Sequence, residues 1–232
     1  MFEERVGIVA AMPAEVASWH HATLAHADHP LLIECSGIGP KAAANATRGL
    51  IQRGVDSLLS WGTAGGLDRA LRPGTIVLYA SVVDAASGTE YQCDLARTAS
   101  LARQLQALGI VHVRGVSVSE PVADVAAKLN LQQRFQGGAV DMESASIAAL
   151  AAQAGIAFTA LRVIVDPAEF SLPRSALAGI GSNRWQWLAV TMALLRNPWE
   201  IRALIRVAHG YHHALGRLDA ASRALSGSRK FA

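Results

Sequence analysis

From Val6 to Val165 the chain alternates short apolar runs of strand length with helix-like runs, and glycine or proline marks many of the joins. Val6–Ala10, Leu31–Cys35, Ser57–Trp61, Thr75–Val83, His112–Ser119 and Phe158–Val165 read as strands, with a further short strand before Asp141. Pro40–Arg53, Leu101–Leu108, Ala123–Phe135 and Ser144–Ala154 read as helices; Pro40 suits a first turn and Gly54 a helix end. The run Gly62-Thr-Ala-Gly-Gly66 reads as a turn closing the third strand. Alternation of this kind predicts a three-layer α/β fold, a mixed and mostly parallel sheet covered by helices on both faces. Such sheets bind ligands at the carboxyl ends of their strands. Glu15, Gly62–Gly66, Asp141–Glu143 and Asp166 all fall just past strand ends, which predicts one shared site.

The chain has 232 residues, 51% of them hydrophobic, with a mean hydropathy of +0.25. That supplies one well-filled domain and excludes a disordered chain. Residues 1–170 are expected to form the core, and residues 171–232 a helical extension of the same domain. Charge divides at the same place. The first part holds 12 Lys/Arg against 16 Asp/Glu, a net −4; the second holds 9 against 2, a net +7. Two helices are expected in the tail, 183–196 and 198–218, carrying Trp185, Trp187 and Trp199 with Arg184, Arg196, Arg202 and Arg206. Two readings of this tail stay open. It packs on the domain or at a subunit interface, or it touches a membrane or a lipid-tailed substrate. Nucleic acid is a poor partner, because no aromatic and basic binding module is present. Cys35 and Cys93 read as reduced thiols of a cytoplasmic protein, with membrane association left to the tail. No uncharged apolar run reaches the ~20 residues that span a bilayer. His209, His212 and His213 share a helical face but lack a companion carboxylate motif, so no metal is expected.

The chemistry lies in the acids. A carboxyl at a strand end, on the edge of an apolar core, is desolvated, and its pKa rises toward the range where it delivers protons. Glu143 opens a helix of small residues, and Asp166 ends an apolar strand. The plainer alternative is that acids favour helix starts whatever their function. Two or three such acids around one pocket fit the breaking of a glycosidic bond.

Four segments together resemble the nucleoside phosphorylase/nucleosidase superfamily, in particular its methylthioadenosine/S-adenosylhomocysteine nucleosidase branch. They are Val6-Gly-Ile-Val-Ala-Ala-Met-Pro-Ala-Glu15-Val, Ser36-Gly-Ile-Gly-Pro-Lys-Ala-Ala, Trp61-Gly-Thr-Ala-Gly-Gly-Leu, and Ala139-Val-Asp-Met-Glu143-Ser-Ala with Arg162-Val-Ile-Val-Asp166. The tail is similar to that of the hopanoid-associated, adenosylhopane-cleaving branch. The resemblance implies that Asp166 protonates purine N7 and that Glu143, with the Met142 backbone, holds the ribose hydroxyls. It implies that Glu15 activates water, with Thr63, Gly65 and Arg162 beside it. The base would stack on the segment around Val122. It implies an adenine nucleoside with a bulky apolar 5′ group, no cofactor, and a homodimer or larger assembly. Val165 stands where the family usually has Ser, and Asp141 where it has Glu. Ser60 stands where phosphorylases carry a phosphate-pairing Arg, which favours hydrolysis. Phosphorolysis to a ribose 1-phosphate, and a binding protein without turnover, remain open alternatives. The scheme fails if Asp166 and Glu143 face separate cavities, or if Asp166 is sealed in an ion pair out of reach of solvent.

Overall fold

The computed structural model describes residues 5–19, 31–173 and 201–226. Eight strands form one sheet: β1 Val6–Ala10, β2 Leu32–Cys35, β3 Ser57–Gly66, β4 Ile76–Asp84, β5 Glu90–Gln92, β6 Ile110–Ser117, β7 Ala139–Asp141 and β8 Ala157–Asp166. The helices among the described residues are α1 Pro13–Ala17, α2 Pro40–Gln52, α3 Leu95–Gln104, α4 Val125–Phe135, α5 Ser144–Ala154 and α6 Ile201–Ser226. The strand order is β2-β1-β3-β7-β6-β4-β5, and β8 pairs with both β3 and β4. The path β3–β7–β6–β4–β8 therefore returns on itself. Pairing is parallel for β1 with β2 and β3, β3 with β8, β4 with β6, and β6 with β7. It is antiparallel for β3 with β7, and for β4 with β5 and β8.

Strand alternation divides the core into two faces. Leu58, Phe158, Ala160 and Ile164 meet Ala43 and Leu50 of α2 and Ile147, Ala148 and Ala151 of α5. Leu59, Trp61, Leu161 and Val163 meet Leu101 of α3 and Ala214, Leu218, Ala221 and Leu225 of α6. The buried positions of α6 recur at helical spacing, and this stripe fixes the helix against the sheet. Arg162 and Ser60 share the parity of the first face, which puts a guanidinium inside the core beneath the start of α5.

Four sequence expectations are corrected. Gly62–Gly66 is no turn: β3 runs through it, pairing with β8 on one side and, at Gly65 and Gly66, with β7 on the other. The predicted helix Leu101–Leu108 begins earlier, at Leu95, where the Asp94 side chain accepts from the Arg97 N–H, and it ends as a short 3-10 turn at Gln106–Leu108. The helix expected from Ala123 begins at Val125, because Asp124 caps it by accepting from the Ala127 N–H. The second tail helix starts no later than Ile201 and runs to Ser226, since Ala221, Ser222 and Leu225 extend its buried stripe. The expected helix 183–196 and the three tail tryptophans lie outside the described residues.

Candidate active site

Glu15 sits in the first turn of α1 and is 1% exposed. Its Oε2 accepts from the N–H groups of Ala11 and Met12, both at 3.1 Å. Its Oε1 accepts from the N–H and the hydroxyl of Thr63, both at 2.9 Å. The helix is anchored through its other end. The Trp61 indole donates to the Ser18 hydroxyl at 3.1 Å, and that hydroxyl donates to the Glu15 carbonyl at 2.6 Å. Burial pushes the Glu15 carboxyl above its usual range, against the opposing pull of Arg162 and Thr63.

Arg162 binds the acids into one cluster. Its Nε donates to Asp141 at 3.1 Å, and one terminal nitrogen donates to the hydroxyls of Ser60 at 2.7 Å and Ser144 at 3.0 Å. The same nitrogen lies 3.7 Å from Glu143 Oε2. Gly62, with φ +151°, covers the gap between Arg162 and Glu15; a Cβ there would stand 2.7 Å from the guanidinium and 2.8 Å from Glu15 Oε1. An unpaired buried guanidinium would cost several kcal/mol, and the acids offset that cost. Burial alone would raise Asp141, yet Arg162 and the hydroxyls of Ser117 and Ser144 outweigh it and hold it below the usual range. Asp141 also accepts from the N–H groups of Glu143 and Ser144, so it caps α5. Glu143 has less help. Burial pushes its carboxyl up to about 7, with Arg162 opposing. Its Oε1 accepts from the Gly39 N–H at 2.9 Å. That contact joins the start of α2 to the start of α5, and the half-buried Met142 lies against Gly39.

Asp166 stands apart from this hydrogen-bonded cluster. A register shift lies between Ala64 and Gly65 of β3, and Asp166 comes level with Gly65. Its carboxylate lies over Gly65, where a Cβ would sit 3.5 Å from Oδ1. Thr63 holds Glu15 two residues earlier on β3, so the two anchoring positions are ~7 Å apart along one strand end. Val122 packs beside them in a small cluster with Leu67, Val116 and Val140. The structure therefore gathers Glu15, Thr63, Arg162, Met142 and Glu143 in one group, sets Gly65 and Asp166 at the ends of β3 and β8, and leaves Val122 in the segment between β6 and α4.

The sequence reading did not name Lys128. This residue, 1% exposed on the inner face of α4, forms an ion pair with Asp166, which is 7% exposed. Burial pushes the Asp166 carboxyl up and Lys128 pulls it down, the burial effect being larger. Asp166 is thus nearly buried within an ion pair, and an acid role requires the pair to open or exchange its proton. A sequence signal existed: Val125, Lys128 and Phe135 share one helical row, so the lysine occupies a core position. Among the described residues no group of three or more His, Cys, Asp or Glu is placed to hold a metal ion.

A profile of the phosphorylase superfamily matches residues 9–179. No curated protein matches the chain. Among solved structures, the chain is similar to futalosine hydrolase of Helicobacter pylori, with 17% identity, a TM-score of 0.73, and 95% of this chain and 96% of that one covered. It is similar to 5′-methylthioadenosine/S-adenosylhomocysteine nucleosidase of Neisseria meningitidis, solved with methylthio-immucillin-A, at 18% identity and a TM-score of 0.74 over 97% and 100% of the two chains. The same holds for the H. pylori nucleosidase, solved with butyl-thio-DADMe-Immucillin-A, at 18% identity and a TM-score of 0.70 over 96% and 99%. These likenesses establish a shared fold, and the match over residues 9–179 places the chain in the phosphorylase superfamily.

Proposed function

We propose that this protein is an N-ribosyl hydrolase that releases adenine from an adenine nucleoside carrying a bulky apolar 5′ group. The observation that carries the reading is the pair of buried carboxyls, Glu15 and Glu143, flanking a guanidinium that protein groups already occupy. A phosphate entering there would meet buried acids, and the wholly buried Ser60 gives it no cation. Water suits the place better.

The reaction follows from these groups. Asp166 delivers a proton to N7, and the C1′–N9 bonding pair moves onto N9, so adenine leaves neutral. The oxocarbenium-like sugar is stabilised by the carboxylate of Glu143, which also accepts from a ribose hydroxyl. A water oxygen bonds to C1′, and its proton passes to Glu15. One proton leaves Asp166 and one arrives on Glu15, so the enzyme returns to rest by exchange with solvent.

Adenosylhopane is the proposed substrate, on the resemblance of the tail. The start of α6 supports contact with lipid or membrane: Ile201 and Ile205 are exposed beside the exposed Arg202 and Arg206. No helix among the described residues is long and apolar enough to cross a membrane. A homodimer or larger assembly is proposed as well, and Leu95 on α3, 82% exposed, is a surface that association would cover.

The test is to incubate the protein with 5′-alkylthio adenosines and adenosylhopane, with and without phosphate, and to measure free adenine and the sugar product. Release independent of phosphate, with free ribosyl product, is expected. The Asp166→Asn variant is expected to lose about 10²–10⁴-fold in kcat. Phosphate-dependent release as a 1-phosphate would replace hydrolysis by phosphorolysis. Tight binding without release would make the protein a binder.

A further inference from the structure

Helix α4 buries a lysine and exposes a leucine next to it. Lys128 is 1% exposed, whereas Leu129 is 44% exposed. A long cationic side chain ordinarily carries its charge to water, so this orientation needs a cause. The ammonium has three N–H donors, and all three have acceptors: the Asp166 carboxylate, the Pro167 carbonyl at 3.0 Å and the Phe170 carbonyl at 2.9 Å. No donor is left over for a ligand. The same stretch is tied once more, by the Leu172 N–H donating to the Ala123 carbonyl at 2.7 Å. Lys128 thus clamps the segment after β8 against the start of α4.

The clamp has an electrostatic consequence. A buried ammonium with only carbonyl partners would leave a net charge in the core, which costs several kcal/mol. The carboxylate of Asp166 cancels it. Other charged groups near this end of β8 look elsewhere. Glu169 turns out to Arg72, Arg206 of α6 lies over the Phe170 ring, and Asp141 and Glu143 face Arg162. On β3 the uncharged Gly65 and Gly66 lie against Asp166, and the apolar Val140 of β7 lies against Gly65. Among the described residues, then, Lys128 is the one cation set against this acid.

We propose that Lys128 is a positioning residue that keeps Asp166 a carboxylate in the ligand-free protein, and so fixes the pH range in which Asp166 can protonate a nucleobase. The proposal rests on the acid role given to Asp166 above. A resting carboxylate and the N7 lone pair are both acceptors, so a proton taken from solvent must join them as the base enters. That proton bonds to Asp166 oxygen and then to N7, and Asp166 returns to the carboxylate that Lys128 stabilises. Removing the ammonium leaves desolvation opposed by the acid's own backbone N–H without the cation, and its pKa rises.

The test begins without substrate. Protein labelled with carbon-13 at aspartate carboxyls is titrated by NMR, with the Asp166 signal assigned by its loss in Asp166→Asn. In the wild type Asp166 is expected to be ionised at pH 7; in Lys128→Met it is expected to titrate about 1–3 units higher. Lys128→Arg, which keeps the charge, is expected to restore much of the wild-type value. The alkaline limb of kcat/KM for adenine release is expected to move up with the Lys128→Met titration, which a purely structural clamp would not cause. Asp166 found protonated at pH 7 in the wild type overturns the proposal, as does a Lys128→Met protein with an unmoved titration. Should Lys128→Met not fold, the wild-type titration alone decides. A wild type that releases no adenine defeats the proposed function and leaves the titration result intact.

Discussion

The fold holds the charge of Glu143 less firmly than that of its neighbour Asp141. Asp141, two positions earlier, accepts from two hydroxyls and two N–H groups as well as the guanidinium. Glu143 accepts from one N–H and stands farther from Arg162, so burial prevails and its carboxyl rises to about 7. The sign of the stability effect follows. Between the unfolded value near 4.5 and the folded value near 7, the folded chain holds the extra proton. This residue therefore favours the fold at the acid end of that window and loses that advantage as pH rises through 7. Glu143→Gln, which cannot ionise, is expected to gain melting temperature relative to the wild type as pH goes from 5 to 8. Thermal melts of both proteins across that range check this. A constant difference would mean that Glu143 is ionised throughout. The same neutralisation is expected to lower the rate of adenine release, since the sugar loses its facing carboxylate.

At the scale of elements, β3 decides whether the acids meet. It delivers Thr63 to Glu15 and bare Gly65 to Asp166, and at Gly62 it leaves room for both a carboxylate and a guanidinium. Arg162 is pinned by three side chains and cannot swing away. Gly62→Ala is therefore expected to destabilise by about 1–3 kcal/mol through overpacking. It should also cut kcat by ~10² by displacing Glu15. Gly49→Ala in α2, where nothing lies within 4 Å, is the control and should be neutral or stabilising. Melting and adenine release for both variants check the contrast. The strand runs and the acids at their ends were legible in the sequence, because apolar periodicity and the family-like segments are local signals. The strand through Gly62–Gly66 was not. Glycine-rich runs ordinarily mark turns, and only the pairing with β7 and β8 makes this one a strand. Lys128 was missed for the same kind of reason: its partner lies 38 residues away, and helix periodicity alone does not say which cation a core will accept.

Across the whole molecule, α6 ties the two ends of the chain to the site. It packs on β8 at Gly210, where a Cβ would stand 2.4 Å from the Val165 carbonyl oxygen, one residue before Asp166. One residue on, the Tyr211 hydroxyl lies 3.7 Å from the Met12 sulfur, beside the loop that binds Glu15. Farther along, Arg217 donates to the Gly74 carbonyl at 3.1 Å, and Ser222 donates to the Ser18 carbonyl at the end of α1. A helix held at so many points cannot tilt at one of them alone. Gly210→Ala sets a methyl against backbone rather than against a flexible side chain, so α6 must shift away from β8. A loss of about 1–3 kcal/mol is expected. Gly216→Ala, on the same helix with open space around it, should gain roughly 0.5–1 kcal/mol from helix propensity. Denaturant melts of the two variants measure the difference. If α6 braces the site as this contact implies, Gly210→Ala also lowers kcat for adenine release while Gly216→Ala leaves it unchanged. Equal stability for the two variants would mean that the helix does not bear on β8 at Val165, and the tail would then be free to serve a surface or a partner without touching the acids.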